Sequence, residues 1–161
     1  MPEAEERPLD RIDRRILDTL QHDGRISNVA LARQVNLSPT PCLERVRRLE
    51  RAGYVTGYAA LLDPAKMGAS LLVFVQVTLD RTTPDVFARF AEAVAPIPEV
   101  RECHMVAGGF DYLLKIRVAD MEAYRRVLGE GLTAIPGVAQ THSYVVMEAV
   151  KDSHALPIPV D

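Results

Sequence analysis

The sequence predicts an α+β protein in two parts, three short helices followed by strands and helices in the order βαββαβ. Three observations carry this. Apolar residues recur at helical spacing from Leu9 to Leu49. Beyond residue 69 they fall into alternating strand-like and helical runs. The charge also changes sign along the chain: ten arginines face six acids from Arg7 to Tyr58, and nine basic residues face thirteen acids from Ala59 onward. At 161 residues there is room for two small domains, and 48% hydrophobic with 25% charged residues is a folded, not a disordered, composition. The overall charge of -3 therefore conceals a basic half suited to a polyanion.

In "LDRIDRRILDTLQHDG" the residues Leu9, Ile12, Ile16, Leu17 and Leu20 form one helical face. Asp10 and Asp13 precede Arg14 and Arg15, as the helix dipole favours, and Gly24 is a stop. A second helix begins at Ser27 or Asn28, carries Val29, Leu31, Ala32 and Val35, and ends at Asn36, a residue able to turn left-handed. The third, "SPTPCLERVRRLERAG", opens on Ser38. Its Pro39 and Pro41 fall in the first turn, where the backbone N–H groups have no helical partner and proline is tolerated. Leu43, Val46 and Leu49 are expected inward, Glu44, Arg47, Arg48 and Arg51 outward, Arg45 on the flank, and Gly53 closes the helix.

Three helices with a tight turn between the last two describe a helix-turn-helix. The end near Thr40 and Pro41 would enter a major groove, with arginines on phosphates or base edges. A solvated charged face is the other reading of "ERVRRLER". The use of Arg over Lys on this helix, the turn residue and the confinement of positive charge to this half favour DNA.

"YVTGYAALL" reads as a strand and "DPAKMGA" as a polar connector. Then come the strand "SLLVFVQVTL", the helix "TPDVFARFAEAVA", the strands "EVRECHMV" and "DYLLKIRV", the helix "DMEAYRRVLGEGL" and the strand in "GVAQTHSYVVMEAV". "IPEVRECH" and "IPGVAQTH" align without a gap, so a βαβ unit occurs twice, the ferredoxin-like arrangement with both helices on one face of an antiparallel sheet. Leu72, Phe74 and "YVVM" would leave the other face apolar, which predicts a dimer through it.

Between the middle strands, "VAGGFD" places Gly108 and Gly109 beside Asp111. Positive φ at the glycines would gather backbone N–H donors into an anion-binding concavity next to a carboxylate, complementary to a free amino acid. A plain hairpin turn capped by Asp111 is the alternative. Cys103 and His104 are adjacent on a strand, point to opposite faces and form no nucleophile–base pair; one of them is expected to be packed. Phosphate loops, dinucleotide-binding glycines and serine elbows are absent, and neither His nor Cys shows metal-ligand spacing, so neither an enzyme nor a metal or other cofactor is expected. No apolar run reaches the length of a membrane span, and "MPEAEERPLDR" lacks a signal pattern, so the expected location is cytoplasmic.

"LDRIDRRIL", "DGRISNVALARQVNLSPTPCLERVRRLERAGYV", "SLLVFVQVTL", "DYLLKIRV" and "YVVMEAVK" closely resemble the Lrp/AsnC ("feast/famine") family of bacterial transcription regulators, over roughly Leu9 to Asp152. The resemblance implies a winged-type helix-turn-helix domain and a RAM/ACT-like domain that binds an amino acid, leucine foremost. The implied organisation is a disordered N-terminus over 1–8, the DNA-binding domain over 9–53, a hinge strand and linker over 54–68, the effector and oligomerisation domain over 69–150 and a tail over 151–161. DNA contacts would fall on Ser38, Thr40, Pro41, Arg45, Arg47 and Arg48. Effector contacts would fall on Met105, Val106, Ala107, Gly108, Gly109, Phe110 and Asp111, with Met121, Tyr124, Tyr144, Val145 and Val146 around them. Partners would be double-stranded DNA, a free amino acid and copies of the chain, with homodimers assembling to octamers or larger on the nucleoid. Relatives commonly carry Gly-Asp-[Phe/Tyr]-Asp at the loop, where this chain reads Gly108-Gly109-Phe110-Asp111. A ligand-independent architectural DNA-binding protein would share the fold.

Overall fold

The computed structural model describes residues 8–160, so the expected disorder over 1–8 lies almost wholly outside them. The chain forms two compact units, one from the residues up to Leu61 together with those from Lys151, the other from Leu62 to Val150.

In the first unit α1 (Arg11–His22), α2 (Asn28–Gln34) and α3 (Pro39–Arg51) stand close to the expected bounds. Asp10 caps α1 reciprocally with Asp13: its carboxylate accepts from Asp13 N–H at 2.8 Å, and the Asp13 carboxylate accepts from Asp10 N–H at 3.2 Å. The C-cap is Asp23 rather than Gly24. Ser27 caps α2 by accepting from Ala30 N–H. Asn36 takes φ 57°, the expected left-handed turn, and Leu37 N–H reaches back to Ala32 O at 2.8 Å. Ser38 holds the N-cap position of α3 by backbone conformation without a side-chain cap bond, and Pro39 occupies the first turn. Gly53 ends α3 at φ 76°, with Tyr54 N–H on Leu49 O.

Ile16, Leu17, Leu31, Ala32, Val35, Cys42 and Leu49 form the core of this unit. Cys42 takes the inward position expected of Leu43, which is exposed; the phase of α3 follows Cys42, Val46 and Leu49. Val29 is exposed as well. The strand expected in "YVTGYAALL" is absent from this single chain. A strand needs a neighbour to take its N–H and C=O groups, and no described strand lies beside it. Val55 instead packs on the helical core, and Tyr58 donates to Glu50 at 2.9 Å. The C-terminal tail returns to this unit. Gln21 exchanges two hydrogen bonds with the Leu156 backbone, at 2.8 and 2.9 Å, and Ile158 joins the apolar cluster.

The second unit contains β1 (Leu71–Leu79), α4 (Pro84–Val94), β2 (Val100–Met105), β3 (Tyr112–Val118), α5 (Met121–Arg126) and β4 (Val138–Val145). Beyond Arg126 the second helix continues as a π-helical turn, Val127–Leu132. The sheet order β2-β3-β1-β4, antiparallel throughout, is the expected ferredoxin-like one. Period-two alternation sends Val73, Val75, Val77 and Leu79 of β1 and Tyr112, Leu114, Ile116 and Val118 of β3 to the helix-covered face, against Val86, Phe90, Val94, Tyr124 and Leu132. Leu72, Phe74, Leu113 and Tyr144 share the opposite face by register. At one end of β4, Gly137 adopts φ 95°, and a Cβ there would lie 3.2 Å from Val86 Cγ1.

Candidate functional site

The candidate nucleic-acid surface is built on α3, and its orientation is fixed by polar groups of α1 and α2. Asp13 lies on the same line of α1 as Ile16 and Leu20, so packing the apolar face also buries its carboxylate, which is 0% exposed. A buried carboxylate requires cationic and hydrogen-bonding partners. Arg45 Nη1 donates to Asp13 Oδ1 at 2.8 Å and to Asp10 Oδ2 at 2.6 Å, and Arg48 Nη2 lies 2.6 Å from Asp13 Oδ2. The bonds to Asp10 and Asp13 raise the pKa of Arg45. Partial burial pushes Asp10 upward, but the bonds from Arg45 and from the Asp13 N–H outweigh it and hold the carboxyl below its ordinary value. At the other end of α3, Asn28 Nδ2 donates to Pro39 O at 2.7 Å. Arg15 Nη2 donates to Gln34 O at 2.9 Å and ties α1 to the end of α2.

The six expected DNA-contacting residues therefore divide. Ser38, Thr40 and Arg47 are exposed and Pro41 half-buried. Arg45 and Arg48 are half-buried and turned onto Asp13, so the outward position expected of Arg48 is corrected: an acid on the packed face of α1 draws it inward. Thr40, Glu44, Arg47 and Arg51 make the exposed line of α3, within an arc of about 60° at 3.6 residues per turn. Asp13 and Asn28, the residues that aim this line, are absent from the sequence-based site. The legible signal was Asp13 at an apolar helical position.

The loop between β2 and β3 is closed by Val106 N–H on Asp111 O, at 3.0 Å. Asp111 N–H donates to Val77 O at 3.0 Å, and the Asp111 carboxylate accepts from Leu79 N–H at 2.7 Å. That carboxylate fastens the loop to the end of β1. The positive φ expected at Gly108 and Gly109 does not occur; among the described glycines it belongs to Gly53, Gly68 and Gly137. The expected left-handed concavity is thus not formed within one chain, because the hairpin closes through Val106 and Asp111 without it. A Cβ on Gly108 or Gly109 would meet nothing within 4 Å, so the loop borders open space.

The other expected effector residues are not gathered around this loop. Tyr124 is buried beneath the sheet and its hydroxyl is bonded to Ser143, while burial raises its pKa. Tyr144 lies on the opposite face, donating to Gln76 at 3.2 Å and paired with Phe74. The loop adjoins Val77–Leu79, some three residues further along β1, or about 10 Å. Met105, Met121 and Val145 are exposed, and Val146 N–H is bonded to Leu72 O. Met121 also borders an open depression along α5 with Glu122, Arg125, Arg126, Gly129 and Glu130. Cys103 and His104 stand on opposite faces as expected, but both are exposed because β2 is an edge strand. No group of three potential metal ligands occurs among the described residues, and no helix there is long and apolar enough to cross a membrane.

Two family models match the chain: "Winged helix-turn-helix DNA-binding" over residues 9–56 and "Lrp/AsnC ligand binding domain" over residues 72–156. The chain is 61% identical over 161 residues to the leucine-responsive regulatory proteins of Klebsiella pneumoniae and Escherichia coli K12, covering 98% of both chains in each comparison. Among solved structures it is similar to a transcriptional regulator from Neisseria meningitidis in complex with L-Met, with TM-score 0.90 and 39% identity over 93% of this chain and 97% of that one. It is also similar to an AsnC family transcriptional regulator from Agrobacterium tumefaciens, with TM-score 0.88 and 36% identity over 92% and 97% of the two chains.

Proposed function

Since the chain belongs to the Lrp/AsnC family and is a ligand-responsive, DNA-binding transcription regulator, we propose that it reads DNA with the exposed line of α3 and answers to a free amino acid, leucine foremost. The observation that carries the first part is the Asp13 clamp: it withdraws Arg45 and Arg48 and leaves Thr40 and Arg47 facing out. Arg47 then serves as a phosphate or base-edge contact, with Ser38 and Pro41 beside the groove, while Arg45 and Arg48 hold the helix in position. The leucine assignment is supported by the names of relatives 61% identical to this chain; a neighbour that holds L-Met keeps methionine in the same test.

Copies of the chain associate through the open sheet face and then into larger assemblies, octamers or beyond. Leu72, Phe74, Leu113 and Tyr144 share that face, and residues 59–62, which join no strand of this chain, are available to a second copy. The effector residues that one chain leaves apart are completed between copies: the loop 106–111 and Tyr144 lie on surfaces a neighbour would bring together. Ligand bound there shifts assembly only by the difference in its affinity for the assembly states. The regulator works in the cytoplasm, on the nucleoid.

The test compares Arg47→Ala with wild type on operator DNA over a salt series. The variant is expected to bind less tightly, with a salt slope shallower by about one unit and an unchanged oligomer size. Equal affinity at every salt concentration would remove α3 from the interface. In parallel, thermal melts with leucine and methionine read the effector. A ligand at a hundred times its dissociation constant adds about 2.7 kcal/mol, and a melting point indifferent to both would reject an amino-acid effector of this kind.

A further inference from the structure

Glu44 is exposed on the line of α3 that faces away from the core, between Thr40 and Arg47. Its usual intrahelical partner would be Arg48, four residues on. Asp13 has already taken that guanidinium, at 2.6 Å, and no ion pair or hydrogen bond joins Glu44 to Arg47 or Arg51. A lone carboxylate therefore sits in the middle of a surface whose ligand is a polyanion. Against phosphate it costs affinity. It is compensated in the major groove only where a base presents a hydrogen-bond donor, and the exocyclic N4 amino group of cytosine is the donor that carboxylates accept from there.

We propose that Glu44 is a specificity-determining residue of the recognition helix, accepting a hydrogen bond from the N4 amino group of a cytosine at one position of each half-site. This rests on α3 being the DNA-reading element. Arg47, one turn further along, anchors the helix by its charge, while Glu44 penalises every register that sets it against phosphate or against a base edge offering only acceptors. The carboxylate supplies discrimination more than affinity, the pattern by which specific binders use repulsion as well as attraction.

The experiment is selection of binding sites from a randomised duplex library by the full-length wild type, Glu44→Gln, Glu44→Ala and Arg47→Ala, with affinities measured for the selected and for random DNA. Glu44 has no partner within the described residues, so both of its variants should melt with the wild type. The wild type should enrich cytosine at one position per half-site. Glu44→Ala should lose that preference by about ten-fold and bind random DNA more tightly. Glu44→Gln should shift the preference towards adenine, whose N6 and N7 a glutamine amide matches. If the alanine variant keeps every base preference while its affinity for selected and random DNA rises equally, Glu44 only repels and the proposal fails with α3 still in the groove. If neither Glu44 variant nor Arg47→Ala alters any DNA affinity, the DNA-reading role of α3 fails and takes this proposal with it.

Discussion

A carboxylate with no exposure, held by two arginines at 2.6 and 2.8 Å, does two things at once. It fixes α3 against α1 and settles which of the four central arginines of α3 can leave the protein. Replacing it by the isosteric amide strands two guanidinium groups beside a neutral partner. Breaking such a pair from one side costs about 3–5 kcal/mol when both charges are deeply buried; both arginines keep part of their solvent access, so about 3 kcal/mol is expected for Asp13→Asn. Urea unfolding followed by helical signal checks this, and an unchanged midpoint would make the clamp ornamental. Acid should act on the same cluster. The Asp10 carboxyl is held below its ordinary value of 3.8. Its contribution is therefore complete above that pH and disappears as pH falls through the depressed folded value. An acid titration of Asp10→Asn should show a shallower loss of stability below about pH 4 than the wild type; parallel curves would speak against it.

Among the elements, two kinds of glycine separate cleanly. Gly108 and Gly109 sit in the loop with unstrained backbone and open space around each Cβ position. Gly109→Asp, which adds the acid that the resemblance implies at this position, should leave the fold within about 0.5 kcal/mol of wild type and change only the effector response. Gly137 combines φ 95° with a Cβ position 3.2 Å from Val86 Cγ1. Gly137→Ala should therefore cost more than about 1 kcal/mol, and a melt that ranks the two variants the other way would refute the distinction. Most of this architecture was legible. The three helices, the left-handed Asn36 and the four strands all follow from apolar period, caps and turn residues, because each is a local property of the chain. The inward and outward roles on α3 were only partly legible. Cys42 took the inward place expected of Leu43 because it falls between Val46 and Leu49 around the helix, whereas Leu43 lies about 60° beyond Val46, and Arg48 moved inward because of an acid 35 residues earlier. The hinge strand and the effector site are less readable still: a strand needs a neighbour, and Tyr124 and Tyr144, which the resemblance grouped, are separated by the thickness of the sheet.

At the scale of the whole molecule, the tail expected over 151–161 belongs to the first unit. Gln21 pairs with Leu156, Arg11 Nε lies 3.4 Å from Val160 O, and Ile158 joins the helical core. Ending the chain after Asp152 should weaken the helical unit by about 1 kcal/mol, the value of a partly buried isoleucine, and leave the sheet unit untouched. Amide hydrogen exchange would show faster exchange along α1 and unchanged protection in β1 and β3; equal protection in α1 would mean that the tail contributes nothing. The same feature sets an order of events during synthesis. The helices of the DNA-binding unit leave the ribosome before the ligand-binding sheet, but the residues that complete their packing leave after it. A nascent chain thus acquires its finished DNA-binding half only once its ligand-binding half exists, and termination between the sheet and the tail yields a ligand-binding half beside a loosened helical unit.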